Sequence, residues 1–468
     1  MSEVEEKELS EKWEWSTLGE VCEKPQYGWT TKASKEGNLH LLRTTDITAG
    51  QINWATVPYC VAEPEDTEKY RIKDGDIVVS RAGSVGVSYL ISNPKPSVFA
   101  SYLIRFKPLI NRKYVYYFLK SPAYWNAISE KSSGIALQNV NATKLKEINI
   151  PIAPPAQQKQ IVAKIEQLFS HIDAGIEALN TAKQRLKQYR QSVLKAAVTG
   201  ELTKEWREVN KEKLEPASQL LERILQTRCQ KWEEQQLEQF KAKGKIPKND
   251  KWMEKYKAPK ASVLHMDLEV PEEWEVASVD QVAEVFLGKM LDRSKHTTGE
   301  RLPYLRNINV RWGHIDTNDL FEMFFKESEL KRFEVIAGDV LICEGGEPGR
   351  AAVWKETNTT IKYQKALHRV RFYLPILPQY LVYLLEYFAS TGLLARYFTG
   401  STIKHFTKES FLTLPFPLPS LIEMQQIISV VDEKMNLSMR LEKEINRQLL
   451  KAEKNKQSIL SSAFSGNL

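Results

Sequence analysis

The sequence predicts an α+β protein: two strand-rich globular lobes separated by two long antiparallel coiled-coil helices, related by an internal pseudo-twofold repeat. Three observations predict it. The chain matches itself, in order, at a nearly constant offset. Each copy opens with short apolar runs bounded by glycine. Each closes in a segment of 43 residues, Gln157 to Thr199 and Glu423 to Ser465, whose apolar side chains fall three and four apart.

The repeat comes first, because a long-period repeat fixes the architecture. Trp13-Glu14 with Leu18 and Val21 matches Trp274-Glu275 with Val279 and Val282, an offset of 261. His40-Leu41-Leu42-Arg43-Thr44 matches Pro303-Tyr304-Leu305-Arg306-Asn307 at 263, and Gly50 and Gly313 follow each copy at the same distance. Gly75-Asp76-Ile77-Val78-Val79 matches Gly338-Asp339-Val340-Leu341-Ile342. Gln191 to Leu194 matches Gln457 to Leu460, and Gly200-Glu201-Leu202 matches Gly466-Asn467-Leu468, at 266. A tandem duplication is the economical explanation.

Within each copy, residues 13–150 and 274–416 read as short buried strands, such as Ile77-Val78-Val79 and Val340-Leu341-Ile342. Aromatic-rich helices are expected over Lys113–Ser121 and Pro378–Ala389. Proline-dense segments, Pro151 to Pro155 and Pro415 to Pro419, cannot continue a helix and mark the boundary. The first periodic segment carries Ile161, Ile165, Leu168, Ile172, Ile176, Leu179, Leu186, Tyr189 and Val193 on one seam. The second carries Ile427, Val431, Met435, Ile445, Leu449, Ala452 and Ile459, with a polar lapse between Met435 and Ile445. At 1.5 Å per residue each helix is ~65 Å long, and the copies are expected to pack antiparallel. Residues 203–262 have no counterpart after residue 468 and read as a charged helix and a basic tether, Lys241 to Lys248. The expected segmentation is an acidic tail 1–12, lobe one 13–155, a long helix 156–202, the charged helix and tether 203–270, lobe two 271–420, and a second long helix 421–468.

Composition bounds the function. Apolar residues make up 42% and aromatics 10%, enough for packed cores at a length that implies two or more domains. No run reaches the ~18 apolar residues of a membrane span; the richest, Pro378 to Leu394, is broken by Gln379, Glu386 and Ser390 and reads as a buried helix. The start, MSEVEEKELSEK, is acidic, unlike a secretory signal. Four dispersed cysteines fit reduced thiols in a cytoplasm. Net charge is +7, and residues 203–260, with 15 Lys/Arg against 10 Asp/Glu, hold +5 of it. The lobes are close to neutral, so the charge permits DNA binding without establishing it.

Together these residues carry a resemblance. A lobe with Gly75-Asp-Ile-Val-Val-Ser80, then Pro154-Pro155-x-x-Gln158, then a long helix ending in Lys195-Ala-Ala-Val-Thr-Gly-Glu-Leu-Thr-Lys-Glu-Trp-Arg207, looks like the specificity subunits of type I restriction–modification systems. The order recurs and closes on Ser461-Ser-Ala-Phe-Ser-Gly-Asn-Leu468; the second proline segment departs from the pattern as Pro419-Ser-Leu-Ile-Glu-Met-Gln-Gln426. The resemblance spans all but about the first twelve residues. It implies that each lobe is a target-recognition domain reading one half of a bipartite, asymmetric site in double-stranded DNA. It also implies that the helices set the spacing and dock two methyltransferase subunits. Those partners bind S-adenosylmethionine and methylate adenine, separate restriction/translocase subunits cut, and this chain performs no chemistry and holds no cofactor or metal.

Base reading needs paired donors or acceptors, and phosphate contacts need Lys, Arg, Ser or Thr, in loops at strand ends. In lobe one the candidate DNA contacts are Lys32, in Tyr27 to Lys32; Arg43 and Thr44; Arg81 and Ser84; and Gln138 and Asn139, after Ser133-Gly134. In lobe two they are Lys289 beside Gly288; Arg306 and Asn307; Glu344 and Arg350; Lys365, after Tyr363-Gln364; and Thr402, Lys404 and His405, after Gly400. Each has a bland counterpart. Arg43 and Arg306 are shared between copies and suit a structural role equally well, and Tyr27 and Trp29 suit core packing. The Gly-Ser/Thr segments suit plain turns, and Arg81 opposite Glu344 suits either base discrimination or an unconstrained loop. Gly345-Gly-Glu-Pro-Gly-Arg350 lacks the Lys-Ser/Thr of a phosphate-binding P-loop, and Asn93-Pro-Lys-Pro96 lacks the aromatic of an adenine methyltransferase motif. Two readings of another kind stay open: a coiled-coil scaffold whose lobes bind protein or another ligand, and a specificity arm serving a different type of restriction enzyme.

Overall fold

The computed structural model describes residues 13–132, 139–247, 249–262, 269–291, 298–357 and 360–468. The expected acidic tail therefore lies outside the described residues. The chain forms two compact units: Met1–Ala182 with Glu444–Leu468, and Lys183–Lys443. Each unit holds one lobe, part of the first long helix and part of the second.

In the first unit, strand Glu14–Thr17 pairs antiparallel with Asn149–Ile152 and closes the lobe. Between them stands an antiparallel sheet of β1 (Gln26–Tyr27), β2 (Ile77–Ser80), β3 (Ser88–Leu90) and β4 (Leu103–Phe106), in the order β1-β4-β2-β3. A second sheet pairs His40–Leu42 in parallel with Ser97–Phe99. In the second unit, Glu275–Ser278 pairs with Pro415–Leu418. Its sheet of β5 (Ala283–Leu287), β6 (Val340–Cys343), β7 (Ala351–Val353) and β8 (Leu367–Phe372) runs in the order β5-β8-β6-β7, and Glu300–Leu305 pairs in parallel with Lys362–Tyr363. The sheets β1-β4-β2-β3 and β5-β8-β6-β7 share one strand order, as the sequence repeat implies, while the second sheet has four strands in lobe one and three in lobe two.

The shared Gly-Asp motif has a physical reason. Gly75 and Gly338 take φ of +87° and +94°, the left-handed region that favours glycine. The aspartate that follows is buried in both lobes. Asp76 accepts the Lys73 N–H at 2.9 Å and pairs with Arg105 of β4 at 3.6 Å. Asp339 accepts the Ile336 N–H at 2.9 Å and pairs with Arg371 of β8 at 2.7 Å. The motif thus closes a turn and pins the central strand to its neighbour.

Helices Arg112–Phe118 and Pro122–Ser132 complete lobe one. Phe464, from the end of the second long helix, sets its ring edge-on to Tyr114 at 5.1 Å and Phe118 at 5.4 Å. Lobe two carries Pro378–Ser390, which is buried almost all round and explains the apolar run there. No helix among the described residues is long and apolar enough to cross a membrane.

The long helices span Pro155–Val198 and Leu421–Phe464. In the first unit Asp173 pairs with Lys456, and Ile161, Val162 and Ile165 share a core with Leu460, Ala463 and Phe464, so the segments run antiparallel. In the second unit Arg190 meets Ser438 and Glu442, while Arg207, beyond the helix end, meets Glu423; the direction is again antiparallel. The seam differs from expectation at one place. Tyr189 is exposed, and its neighbour Arg190 turns inward, donating to Ser438 Oγ at 2.8 Å and pairing with Glu442 at 2.7 Å. The polar lapse before Ile445 is therefore the partner of an inward arginine.

The segment 203–270 is more folded than a helix and a tether. Ala217–Ala242 forms a helix whose Leu220 and Ile224 enter the core of lobe two. The basic stretch then folds back: Trp252 stacks on Trp232, centroids 5.8 Å apart, and lies 6.1 Å from Phe240, while Tyr256 abuts Trp232 at 5.3 Å. Lys248 and residues 263–268 lie outside the described residues.

Candidate nucleic-acid interface

In each lobe, the candidate loops converge at one end of the sheet β1-β4-β2-β3 or of its counterpart β5-β8-β6-β7. Two glycines allow it. A Cβ on Gly28 would meet the Ala100 carbonyl oxygen at 2.2 Å, and one on Gly288 would meet that of Gln364 at 2.3 Å. The next residues, Trp29 and Lys289, then donate their backbone N–H to Phe99 and Tyr363 at 2.7 and 3.0 Å.

Lys289 is thus the counterpart of Trp29, and its position is internal. Its side chain is buried, donating to the Phe324 carbonyl at 2.8 Å and pairing with Glu329 at 2.5 Å. The expectation that Lys289 reaches DNA is corrected, because the ammonium is consumed inside the lobe. Trp29 is likewise engaged, its ring tilted against that of Tyr70 with centroids 5.4 Å apart.

The shared arginines are also engaged. Arg43 donates from its backbone N–H and guanidinium to Asp46 at 2.8 to 3.0 Å, and this bond holds its pKa above the usual value. Arg306 pairs with Asp319 at 2.7 Å and stacks on Phe321 at 3.6 Å. Arg350 pairs with Glu347 at 2.6 Å and donates to the Asn307 carbonyl at 2.8 Å. All three hold loops in place.

What remains at the loop ends differs between lobes. Arg81 lies over the half-exposed Tyr27 ring at 5.0 Å, and Tyr27 Oη accepts the Ala142 N–H at 2.9 Å. Arg81 has no ion pair among the described residues, and Ala82 bridges to Asn139. Thr44 accepts from Ser80 Oγ at 3.4 Å, and Lys32 and Ser84 are exposed. Gln138 lies outside the described residues. In lobe two, Asn307 Nδ2 donates to the Gly345 carbonyl at 3.3 Å, and the Glu344 backbone carbonyl accepts the Phe406 N–H at 2.8 Å, which sets His405 beside Gly345. Thr402 and Lys365 are exposed, as is Lys404, whose ammonium donates to the Gly400 carbonyl at 2.8 Å.

The repeat offset aligns these groups in pairs: Thr44 with Asn307, Arg81 with Glu344, and Asn139 with His405. The backbone hydrogen bonds add Tyr102 beside Arg81, a position that sequence reasoning missed and that matches Ala366 in lobe two. Tyr102 is 62% exposed, and its carbonyl accepts the Arg81 N–H at 2.9 Å. Among the described residues no cluster of three or more His, Cys, Asp or Glu is placed to hold a metal.

Comparison with known proteins matches this geometry to a family. A family model described as the type I restriction modification DNA specificity domain matches residues 10–184 and 271–451. The chain is 25% identical over 446 residues to the type I restriction enzyme EcoKI specificity subunit of Escherichia coli K12, covering 93% of this chain and 83% of that one. It is 24% identical to the EcoBI specificity subunit of Escherichia coli, covering 94% and 83%. A solved structure described as addressing complex assembly and conformational transition of the type I R-M system shares the fold with TM-score 0.67 and 16% identity, covering 98% of this chain and 100% of that one. The HsdS subunit of Thermoanaerobacter tengcongensis gives TM-score 0.52 and 17% identity, covering 99% of each.

Proposed function

Since the chain belongs to the type I restriction–modification DNA specificity family, we propose that each lobe reads one half of a bipartite, asymmetric double-stranded DNA site. The observation that carries this reading is a common loop framework presenting unlike side chains: Thr44, Arg81 and Asn139 in one lobe, Asn307, Glu344 and His405 in the other. Arginine suits guanine, asparagine suits adenine, and a carboxylate accepts from cytosine. Two different readers on one scaffold specify two different half-sites.

On this reading the long helices act as a coiled-coil spacer and as the docking surface for two methyltransferase subunits, with restriction/translocase subunits joining them. The chain supplies recognition; S-adenosylmethionine and the adenine chemistry belong to the methyltransferases. The scaffold alternative is not favoured, since the family match covers both lobes.

The test is Lys32→Ala with Arg81→Ala in the chain co-expressed with its methyltransferase. Assembly is expected to persist while affinity for the cognate duplex falls by about 1–3 kcal/mol per lost base contact. Unchanged DNA binding by this variant would contradict the assignment of the lobe-one loops.

A further inference from the structure

The basic charge of this protein is not at the loops that read DNA in the reading above. Residues 238–260 hold eight lysines against three carboxylates. Lys241, Lys243, Lys245, Lys251, Lys255 and Lys257 are all exposed, and none has an ion pair among the described residues. Four of the candidate loop cations, Arg43, Arg306, Arg350 and Lys289, each carry a carboxylate partner, and the others are spread singly over the two lobes.

These lysines sit on a built platform. Trp252 and Tyr256 pack on Trp232, and Arg228 donates to Tyr256 Oη at 2.6 Å and to the Lys257 carbonyl at 3.0 Å, so the returning chain is fastened to the helix Ala217–Ala242. That helix is fastened in turn to lobe two. Arg228 pairs with Asp280 at 3.6 Å, Lys231 donates to the Tyr373 carbonyl at 3.0 Å, and Gln235 donates to Glu284 at 3.4 Å.

The order of these contacts gives a direction. As the helix advances from 228 to 235, its partners advance from 280 to 284, so it runs beside β5 towards Leu287 and Gly288. Leu287 pairs with His368, and Cys343 with Leu367, so Glu344 and His405 lie at that same end of the sheet. Lys241 lies in the last turn of the helix, and Lys243 and Lys245 follow its end.

We infer that this arm is a second DNA contact: a sequence-independent clamp on the phosphate backbone beside the half-site read by lobe two. Lysine on a flexible stem suits phosphates at unspecified positions, and it is depleted in protein–protein interfaces. The inference rests on the recognition reading for the identity of the duplex.

The test uses the full chain and a Lys241→Gln/Lys243→Gln/Lys245→Gln variant, titrated with an unrelated duplex and with the cognate duplex over a salt series. The variant is expected to bind both more weakly, with the log-log salt slope reduced by about 0.9 per lysine in contact and the preference for the cognate duplex unchanged. The substituted side chains are exposed, so the thermal transition should not move. An unchanged salt slope overturns the clamp. So does weakened capture of the methyltransferase with unaltered DNA binding, which would make the arm's partner an acidic protein surface. Failure of the wild-type chain and its methyltransferase to prefer any sequence would sink the recognition reading instead, and the slope would still decide the clamp.

Discussion

At the scale of single residues, exposure and partnership separate readers from struts. Lys289 is a strut: replacing it with alanine removes its ion pair with Glu329 and its hydrogen bond to the Phe324 carbonyl. Lys289→Ala is expected to lower stability by about 1–3 kcal/mol, measured by denaturant unfolding, while the methylated sequence stays the same. Arg81→Glu instead places lobe two's residue in lobe one, and it is expected to change the methylated pattern in one half-site only. His368 adds a pH dependence. It is fully buried, with Nε2 2.6 Å from the Phe406 carbonyl, and burial pushes its pKa down to about 4. An unfolded histidine titrates near ~6.5, so between these values the unfolded state binds the extra proton and stability falls as pH falls. Over that window the loss is on the order of 3 kcal/mol. His368→Gln keeps a donor for the carbonyl and should abolish the difference between melts near neutral and at acid pH; an equal acid loss in the variant would exclude His368 as its source.

At the scale of elements, the two copies solve one junction differently. In the second unit, buried Glu423 accepts from Thr203 Oγ1 at 2.7 Å, Arg207 Nε at 2.9 Å and Trp274 Nε1 at 3.0 Å. In the first unit, Trp13 Nε1 donates to Gln157 at 3.0 Å, and Gln157 is the repeat counterpart of Glu423. The two junctions differ in charge: the Glu423 carboxylate meets the Arg207 guanidinium, whereas the neutral Gln157 amide meets Trp13. Arg207→Met strands a buried carboxylate and is expected to cost about 3–5 kcal/mol. Adding Glu423→Gln recreates the neutral junction of the other copy and should recover most of that loss, which a double-mutant cycle by thermal unfolding measures. The elements also show what sequence could carry. The strands and the buried helix Pro378–Ser390 were legible because glycine turns and apolar runs are local signals, and the likeness of the lobes was legible from the repeat. The inward turn of Arg190 was not, since its partners Ser438 and Glu442 lie some 250 residues away. The folding back of Trp252 onto Trp232 was hidden for a related reason: lysine-rich composition masks two tryptophans twenty residues apart.

At the scale of the whole molecule, duplication is the organising fact, and divergence at the loop ends is its use. The candidate contacts were only partly legible. Position was readable from the repeat, but whether a cation is free or consumed depends on partners such as Glu329, Asp319 and Asp46 that no local pattern announces. With the lobes close to neutral in net charge, the isolated chain should bind duplex DNA weakly, in the 10⁻⁴–10⁻⁶ M range of non-specific binding at physiological salt, with partners supplying the rest. Nanomolar binding by the lone chain would contradict that. The central claim is tested most directly by long-read methylome sequencing of a host co-expressing this chain with the methyltransferase encoded beside it. The account predicts adenine methylation at a new two-part, asymmetric sequence that vanishes when this chain is omitted. Co-purification of the two proteins with no such sequence, or a palindromic one, would contradict it.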